Sequence, residues 1–178
     1  VYSNTGGQAS KSTPLGAAAK FATAGKATAK HDLAMSAILK GNVYVATLAL
    51  GAKLPQALRA LREAEAYPGP SLLLAYSPCI AHGYALTHAL DQSARAVDSG
   101  YWPLFRFDPR LRAAGKPALQ LDSPEPSLPL REFLSRELRF KLPEFRDPAL
   151  AEQRLQAAQA ALRQRYARLK SIAEEVVS

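Results

Sequence analysis

Cysteine is almost missing from this chain. Cys79 is the only one in 178 residues. A lone thiol excludes an internal disulfide framework. No CxxC pair is present, so any cluster bound through Cys79 would need cysteines from elsewhere. No apolar run approaches the roughly 20 residues of a spanning helix, and no signal peptide is visible. A cytoplasmic protein with no membrane segment is the expectation. Neither a Walker A loop nor a GxGxxG fingerprint occurs, and there are no internal repeats. Acidic residues are scarce, at 15 Asp and Glu against 23 Lys and Arg, for a net charge of +8. The positive residues are spread out, however. Many lie in Arg59-Ala60-Leu61-Arg62 and from Arg154 to Lys170, interleaved with Glu and Gln as on a solvated helix face. No nucleic-acid partner is expected; such a surface equally suits an acidic protein partner. The initiator Met is absent too, and so is any strand ahead of the opening loop. The expectation is the downstream piece of a longer polypeptide, beginning inside a functional loop.

A hydrophobic content of 48% fits a folded domain. The chain opens on Val1-Tyr2-Ser3-Asn4-Thr5-Gly6-Gly7-Gln8-Ala9-Ser10-Lys11-Ser12-Thr13, small and polar. Leu15 to Ala22 is Ala-rich and predicts a short helix. Asp32 is a plausible N-cap for Leu33–Leu39, which Gly41 ends. Val43 to Leu50 is a β-branched apolar run of strand length. Pro55 suits the first turn of a helix striped by Ala57, Leu58, Leu61 and Ala64. Tyr67-Pro68-Gly69-Pro70 stops it, and Ser71 to Tyr76 is a second continuous apolar strand. Continuous runs predict strands buried on both faces. Residues 84 to 99 read as a helix, and Tyr101 to Phe107 as an edge strand, since it holds Pro103. Residues 116–129 read as a surface connection, Leu130 to Leu138 as a helix, and Pro148 to about Ile172 as a long final helix. The alternation of helix and strand with short connections predicts an α/β fold, a parallel sheet flanked by helices, with a helical C-terminal tail. The boundaries expected are 1–110 for the α/β part, 111–129 for the connection and 130–178 for the C-terminal helices packing on it.

Open α/β sheets bind ligands at the carboxyl ends of their strands. Three segments belong there: the opening loop, Gly51-Ala52-Lys53-Leu54, and Ser77-Pro78-Cys79-Ile80-Ala81-His82-Gly83. In the opening loop, Gly6 and Gly7 permit close backbone approach. Asn4, Thr5, Ser10, Ser12 and Thr13 supply polar partners, and Lys11 offsets negative charge. A polyphosphate ligand and an ordinary flexible loop both fit that composition. Cys79 is equally open: a small buried residue, or a thiolate whose partners lie elsewhere. His82 lies three residues on, a loose signal for a Cys–His pair, and His31 and His88 read as structural imidazoles. Trp102, with Tyr101 and Phe105, reads as core or as an interdomain contact.

A longer set of residues is more specific. The opening string through Pro14, then Ala19-Lys20-Phe21, Lys30-His31-Asp32-Leu33, Gly41-Asn42-Val43-Tyr44-Val45-Ala46, Glu63 to Ser71, Ala75 to Gly83 and Ala96 to Leu104 resemble pyruvate:ferredoxin (flavodoxin) oxidoreductases. The chain is similar to the C-terminal part of their thiamine-diphosphate-binding domain. The resemblance is close to about Pro109 and thinner beyond. It implies an enzyme that oxidatively decarboxylates pyruvate with coenzyme A and passes electrons through [4Fe-4S] clusters to ferredoxin or flavodoxin. It implies thiamine diphosphate and Mg²⁺ as cofactors. The Val1 carbonyl maps to a Mg²⁺ ligand, and Asn4 to a group near the diphosphate and the reacting centre. Cys79 maps to the fourth ligand of the proximal [4Fe-4S] cluster. The family's upstream GDG motif and the partner cysteines are not in this sequence, so the chain alone is expected to be inactive. A homodimer is implied for the intact protein. A non-catalytic interaction or dimerisation module, or a basic nucleic-acid-binding domain, is the alternative.

Overall fold

The computed structural model describes residue 4 and residues 6–175. Among the described residues, nine helical elements accompany one four-stranded sheet. In chain order the strands are β1 (Tyr44–Leu48), β2 (Ser71–Ala75), β3 (Phe105–Phe107) and β4 (Leu119–Leu121). Their order across the sheet is β2-β1-β3-β4. β1 and β2 run parallel from Tyr44↔Ser71 to Leu48↔Ala75. β3 is antiparallel to both β1 and β4.

The connections explain this mixture. α2 (Leu54–Glu65) crosses over from β1 to β2, which is what a parallel pair requires. Pro55 falls in its first turn, where the missing N–H costs nothing. α3 (Ala89–Asp98) leads into β3, which returns antiparallel beside β1. The short α4 (Arg110–Ala113) separates β3 from β4.

β1 is buried along its whole length, as its continuous apolar run predicts. Val45 packs with Phe105, Phe107 and Leu119 against α1 (Leu33–Ile38) and Leu169. On the other face, Tyr44, Ala46 and Leu48 meet Ala57 and Ala60 of α2. Leu169 belongs to α7 (Pro148–Glu174), capped by the Asp147 carboxylate, which accepts from the Leu150 N–H. In the chain, α5 (Leu130–Leu134) and α6 (Leu138–Arg146) come between β4 and α7. Phe133 of α5 is fully buried, its ring centroid 4.7 Å from that of Tyr101.

Four expectations change. Residues 101–107 do not form an edge strand: β3 lies inside the sheet, and Pro103 precedes it, where no ladder N–H is needed. The stretch 116–129, expected as a surface connection, contributes β4. β2 is not buried on both faces; it is the sheet's edge and is half-exposed. The Ala-rich stretch 15–22 is not helical. The Lys20 N–H donates to the Gly7 carbonyl, and Phe21 takes a positive φ of 62°. These contacts outweigh alanine's helix propensity.

Candidate functional site

The opening segment folds back on residues 16–31. Thr13 is buried, and its Oγ1 accepts from the Ser10 N–H at 2.9 Å. The Lys26 ammonium donates to the Thr13 carbonyl at 2.8 Å and to that of Lys11 at 3.3 Å. Lys26 is therefore spent on the backbone. Gly6 and Gly7 have φ of 97° and 95°, which few other residues adopt. The Lys20 Nζ lies 3.2 Å from where a Cβ on Gly6 would stand. An ammonium thus faces exposed backbone, with Asn4 exposed close by in the chain. Val1 lies outside the described residues.

Beyond this loop, Lys11, Pro14, Thr47, Leu74, Trp102 and Leu162 help to line a cavity of about 320 Å³. Thr47 and Leu74 sit near the carboxyl ends of the parallel strands, where ligands bind in open α/β sheets. Neither Asn4 nor Cys79 is among its described lining residues. Trp102 is structural, as expected. Its indole N–H donates to the Leu48 carbonyl at 3.0 Å, and its ring lies 5.8 Å from that of Tyr76.

Cys79 follows β2 in extended conformation, half-buried and free. Its carbonyl accepts from the His82 N–H, starting a single 3₁₀ turn over Ile80–His82. Gly83 closes the turn with φ 79°. A Cβ there would stand 2.3 Å from the Leu138 Cβ, so this close approach needs glycine. The Leu138 N–H donates to the Gly83 carbonyl at 3.3 Å, and the Ala18 N–H donates to the Arg139 carbonyl at 2.6 Å. The short stretch 137–139 therefore touches both the Cys79 loop and the segment behind the opening loop.

Sequence reading missed what lies beneath. Glu137 is completely buried. Its carboxylate accepts from Gln92 Nε2 at 2.9 Å, from the Tyr76 hydroxyl at 3.4 Å and from Arg139 Nε at 2.5 Å. Burial, and then the Glu137 carboxylate, push the Tyr76 phenol up. No motif marks this network, because its members come from β2's end, α3 and the α5–α6 junction.

His82 does not pair with Cys79. Burial, and then the Arg139 charge, push its imidazole down from 6.5 to about 4. Its Nδ1 is buried without a partner. The unfolded chain takes up this proton near pH 6.5, the folded chain only near pH 4. Stability is therefore expected to fall as pH drops through that window. Urea unfolding midpoints at several pH values check this. His82→Asn should flatten the dependence, modestly, because the ring keeps contact with water.

Among the described residues, no three His, Cys, Asp or Glu side chains cluster to hold a metal. Cys79 offers one thiolate, the donor an iron–sulfur cluster takes. The glycine backbone and Lys20 suit an anion such as a diphosphate.

The fold and its loops define part of an α/β domain, with candidate ligand loops at the carboxyl end of its parallel strands. No family model matches the chain. Individual relatives do. It is 53% identical over 173 residues to the pyruvate-flavodoxin oxidoreductase of Rhodospirillum rubrum, covering 97% of this chain and 14% of that protein. Identity is 52% over 165 residues to a probable pyruvate-flavodoxin oxidoreductase of Escherichia coli, covering 93% and 14%. It is 46% over 174 residues to the pyruvate:ferredoxin oxidoreductase of Moorella thermoacetica, covering 98% and 15%. The chain is thus homologous, over nearly its whole length, to a segment of the pyruvate-flavodoxin and pyruvate:ferredoxin oxidoreductases.

Proposed function

We propose that this chain is part of a 2-oxoacid oxidoreductase that oxidatively decarboxylates pyruvate with coenzyme A, giving acetyl-CoA and CO₂, and passes electrons through [4Fe-4S] clusters to ferredoxin or flavodoxin. The observation that carries this reading is the 53% identity over 97% of the chain to the Rhodospirillum rubrum protein. Residues 1–110, together with β4, belong to the thiamine-diphosphate-binding part, and the helices from residue 130 onward pack upon it. The intact protein is a cytoplasmic homodimer.

Each site residue has a role its chemistry permits. The Val1 carbonyl is a hard oxygen ligand suited to Mg²⁺. Asn4 orients the diphosphate and the reacting centre through its amide. Lys20, beside Gly6, offsets the diphosphate charge. Cys79 supplies one thiolate to the proximal cluster. Bound thiamine diphosphate supplies the carbanion chemistry of decarboxylation, while the protein contributes placement and electrostatics.

The test uses the complete polypeptide, at the length of its relatives. Cys79→Ala should abolish pyruvate-dependent reduction of the acceptor and lower the bound iron. Asn4→Ala should cut kcat by about 10²-fold, as expected for removing one positioned donor. Wild-type activity and iron content in the Cys79 variant would overturn the assignment. The 178-residue chain alone carries a single cysteine. It should show neither pyruvate oxidation nor iron–sulfur absorbance after reconstitution.

A further inference from the structure

The Cys79 loop is held from outside itself. Among the described residues, the side chains of residues 77–82 make one hydrogen bond, from the Ser77 hydroxyl to the adjacent Pro78 carbonyl. Both ends of the loop are fixed instead by the junction of α5 and α6. At the entry, the Tyr76 hydroxyl donates to the Glu137 carboxylate at 3.4 Å. At the exit, the Leu138 N–H donates to the Gly83 carbonyl at 3.3 Å. Leu138 stands so close that glycine alone fits opposite it.

The next residue along reaches the other candidate ligand loop. The Arg139 carbonyl accepts from the Ala18 N–H at 2.6 Å. Two residues on from Ala18, the Lys20 N–H donates to the Gly7 carbonyl at 2.9 Å, and Gln8 and Lys20 form a parallel bridge. One residue back, the fully buried Ala17 accepts through its carbonyl from the Lys26 N–H at 3.0 Å. Lys26 is the lysine whose ammonium holds the Thr13 carbonyl. Residues 17–20 are thus bonded both to the opening loop and to Arg139.

Three consecutive residues therefore join the two loops, and one buried carboxylate fixes all three. Glu137 has extended backbone, φ −109° and ψ 123°, between two helices. Its side chain has no exposed surface. It accepts from Gln92 of α3 at 2.9 Å, from Tyr76 at the end of β2, and from Arg139 Nε at 2.5 Å. Apolar residues of the same volume would hold the packing about as well, since taking two charges out of water offsets much of their attraction. They could not reach three elements with directed bonds. The ion pair adds arrangement rather than bulk stability.

We propose that Glu137 is a positioning residue, which through Leu138 and Arg139 fixes the Cys79 sulfur relative to the backbone of the opening loop. This rests on the proposed function, in which the two loops serve one reaction. Electron passage between two centres falls steeply with their separation. A joint that sets the spacing of these loops acts on that passage without touching substrate.

Glu137→Gln tests the joint, because it keeps the shape and removes the charge that holds Arg139. In the 178-residue chain, the Leu138 and Ala18 amides should exchange with solvent faster together, on the order of tenfold. Arg106→Leu weakens the fold elsewhere and should leave both rates unchanged. In the complete polypeptide, Glu137→Gln should lower kcat by up to about 10²-fold with the KM for pyruvate unchanged. It should also raise the midpoint potential of the cluster that Cys79 ligates, since a buried negative charge is gone. Exchange that rises at Leu138 alone would overturn the proposal, because the two loops are then not joined through this stretch. So would equal acceleration by Arg106→Leu, or a Glu137→Gln enzyme with wild-type kcat and potential. Coupled exchange in a chain whose complete wild-type form neither oxidises pyruvate nor binds iron sinks the functional reading alone.

Discussion

Replacing Arg106 with leucine is expected to cost about 3 kcal/mol of folding stability, the lower end of what breaking a buried ion pair costs. Arg106 sits on β3 with its side chain 9% exposed. Its Nε and Nη2 donate to the two oxygens of Asp122, each at 2.9 Å. Its Nη1 donates to both oxygens of Glu63, at 2.6 and 2.8 Å. The Asp122 bonds, followed by those to Glu63, raise the guanidinium above its ordinary range against the pull of burial. Removing the arginine strands two carboxylates. Asp122, at 14% exposure, has little water to turn to, whereas Glu63, at 29%, recovers part of its hydration. That difference sets the lower end of the range. Asp122 keeps the Gln56 amide at 3.0 Å, and Glu63 keeps the Tyr44 hydroxyl at 2.9 Å. Urea unfolding of the 178-residue chain checks the figure. Adding Asp122→Asn should return part of the loss, since one stranded charge is then gone. A loss below about 1 kcal/mol would mean the network behaves like a surface pair.

This network also shows why only part of the fold was legible in the sequence. β1, α2 and β2 could be read because each signal is local: a run of apolar residues, Pro55 opening a helix, Pro68-Gly69-Pro70 stopping it. The long α7 was legible for the same reason. β3 and β4 were not. Each has three residues, too few to show a period, and they are fixed by partners far along the chain. Arg106 joins Glu63, 43 residues away, to Asp122, 16 residues away. The break between α5 and α6 was equally hidden. Leu130 to Leu138 reads as one helix, but Glu137 turns extended, with φ −109° and ψ 123°, where its carboxylate is buried. The candidate site divides along the same line. Composition alone left the opening loop and Cys79 open, because this sequence holds no established phosphate-loop motif and no second cysteine. Only the long in-register resemblance assigned them roles, and the relatives at 46–53% identity support the family.

Replacing Glu137 with alanine should have an effect of similar size and a different character. Glu137 has no exposed surface and Arg139 little, at 12%. The substitution leaves Arg139, Gln92 and Tyr76 donating into a void. The expected loss is about 3–5 kcal/mol. Glu137→Gln keeps the shape and an acceptor for Gln92, loses only the charge, and should cost about 1.5–3 kcal/mol. The distinguishing readout is the thiol of Cys79. It is the sole cysteine, so its reaction with a disulfide reagent reports on one loop alone. That loop is held to the Glu137 segment through the bond from Leu138 to Gly83. Loss of the network should free it and speed the reaction under native conditions, without urea. Arg106→Leu makes a fair comparison, because it weakens the fold by a similar amount through residues that do not touch this loop. If Glu137→Ala speeds the reaction and Arg106→Leu does not, the buried carboxylate holds the Cys79 loop in place. If both speed it equally, thiol exposure follows global opening, and Glu137 only stabilises the fold.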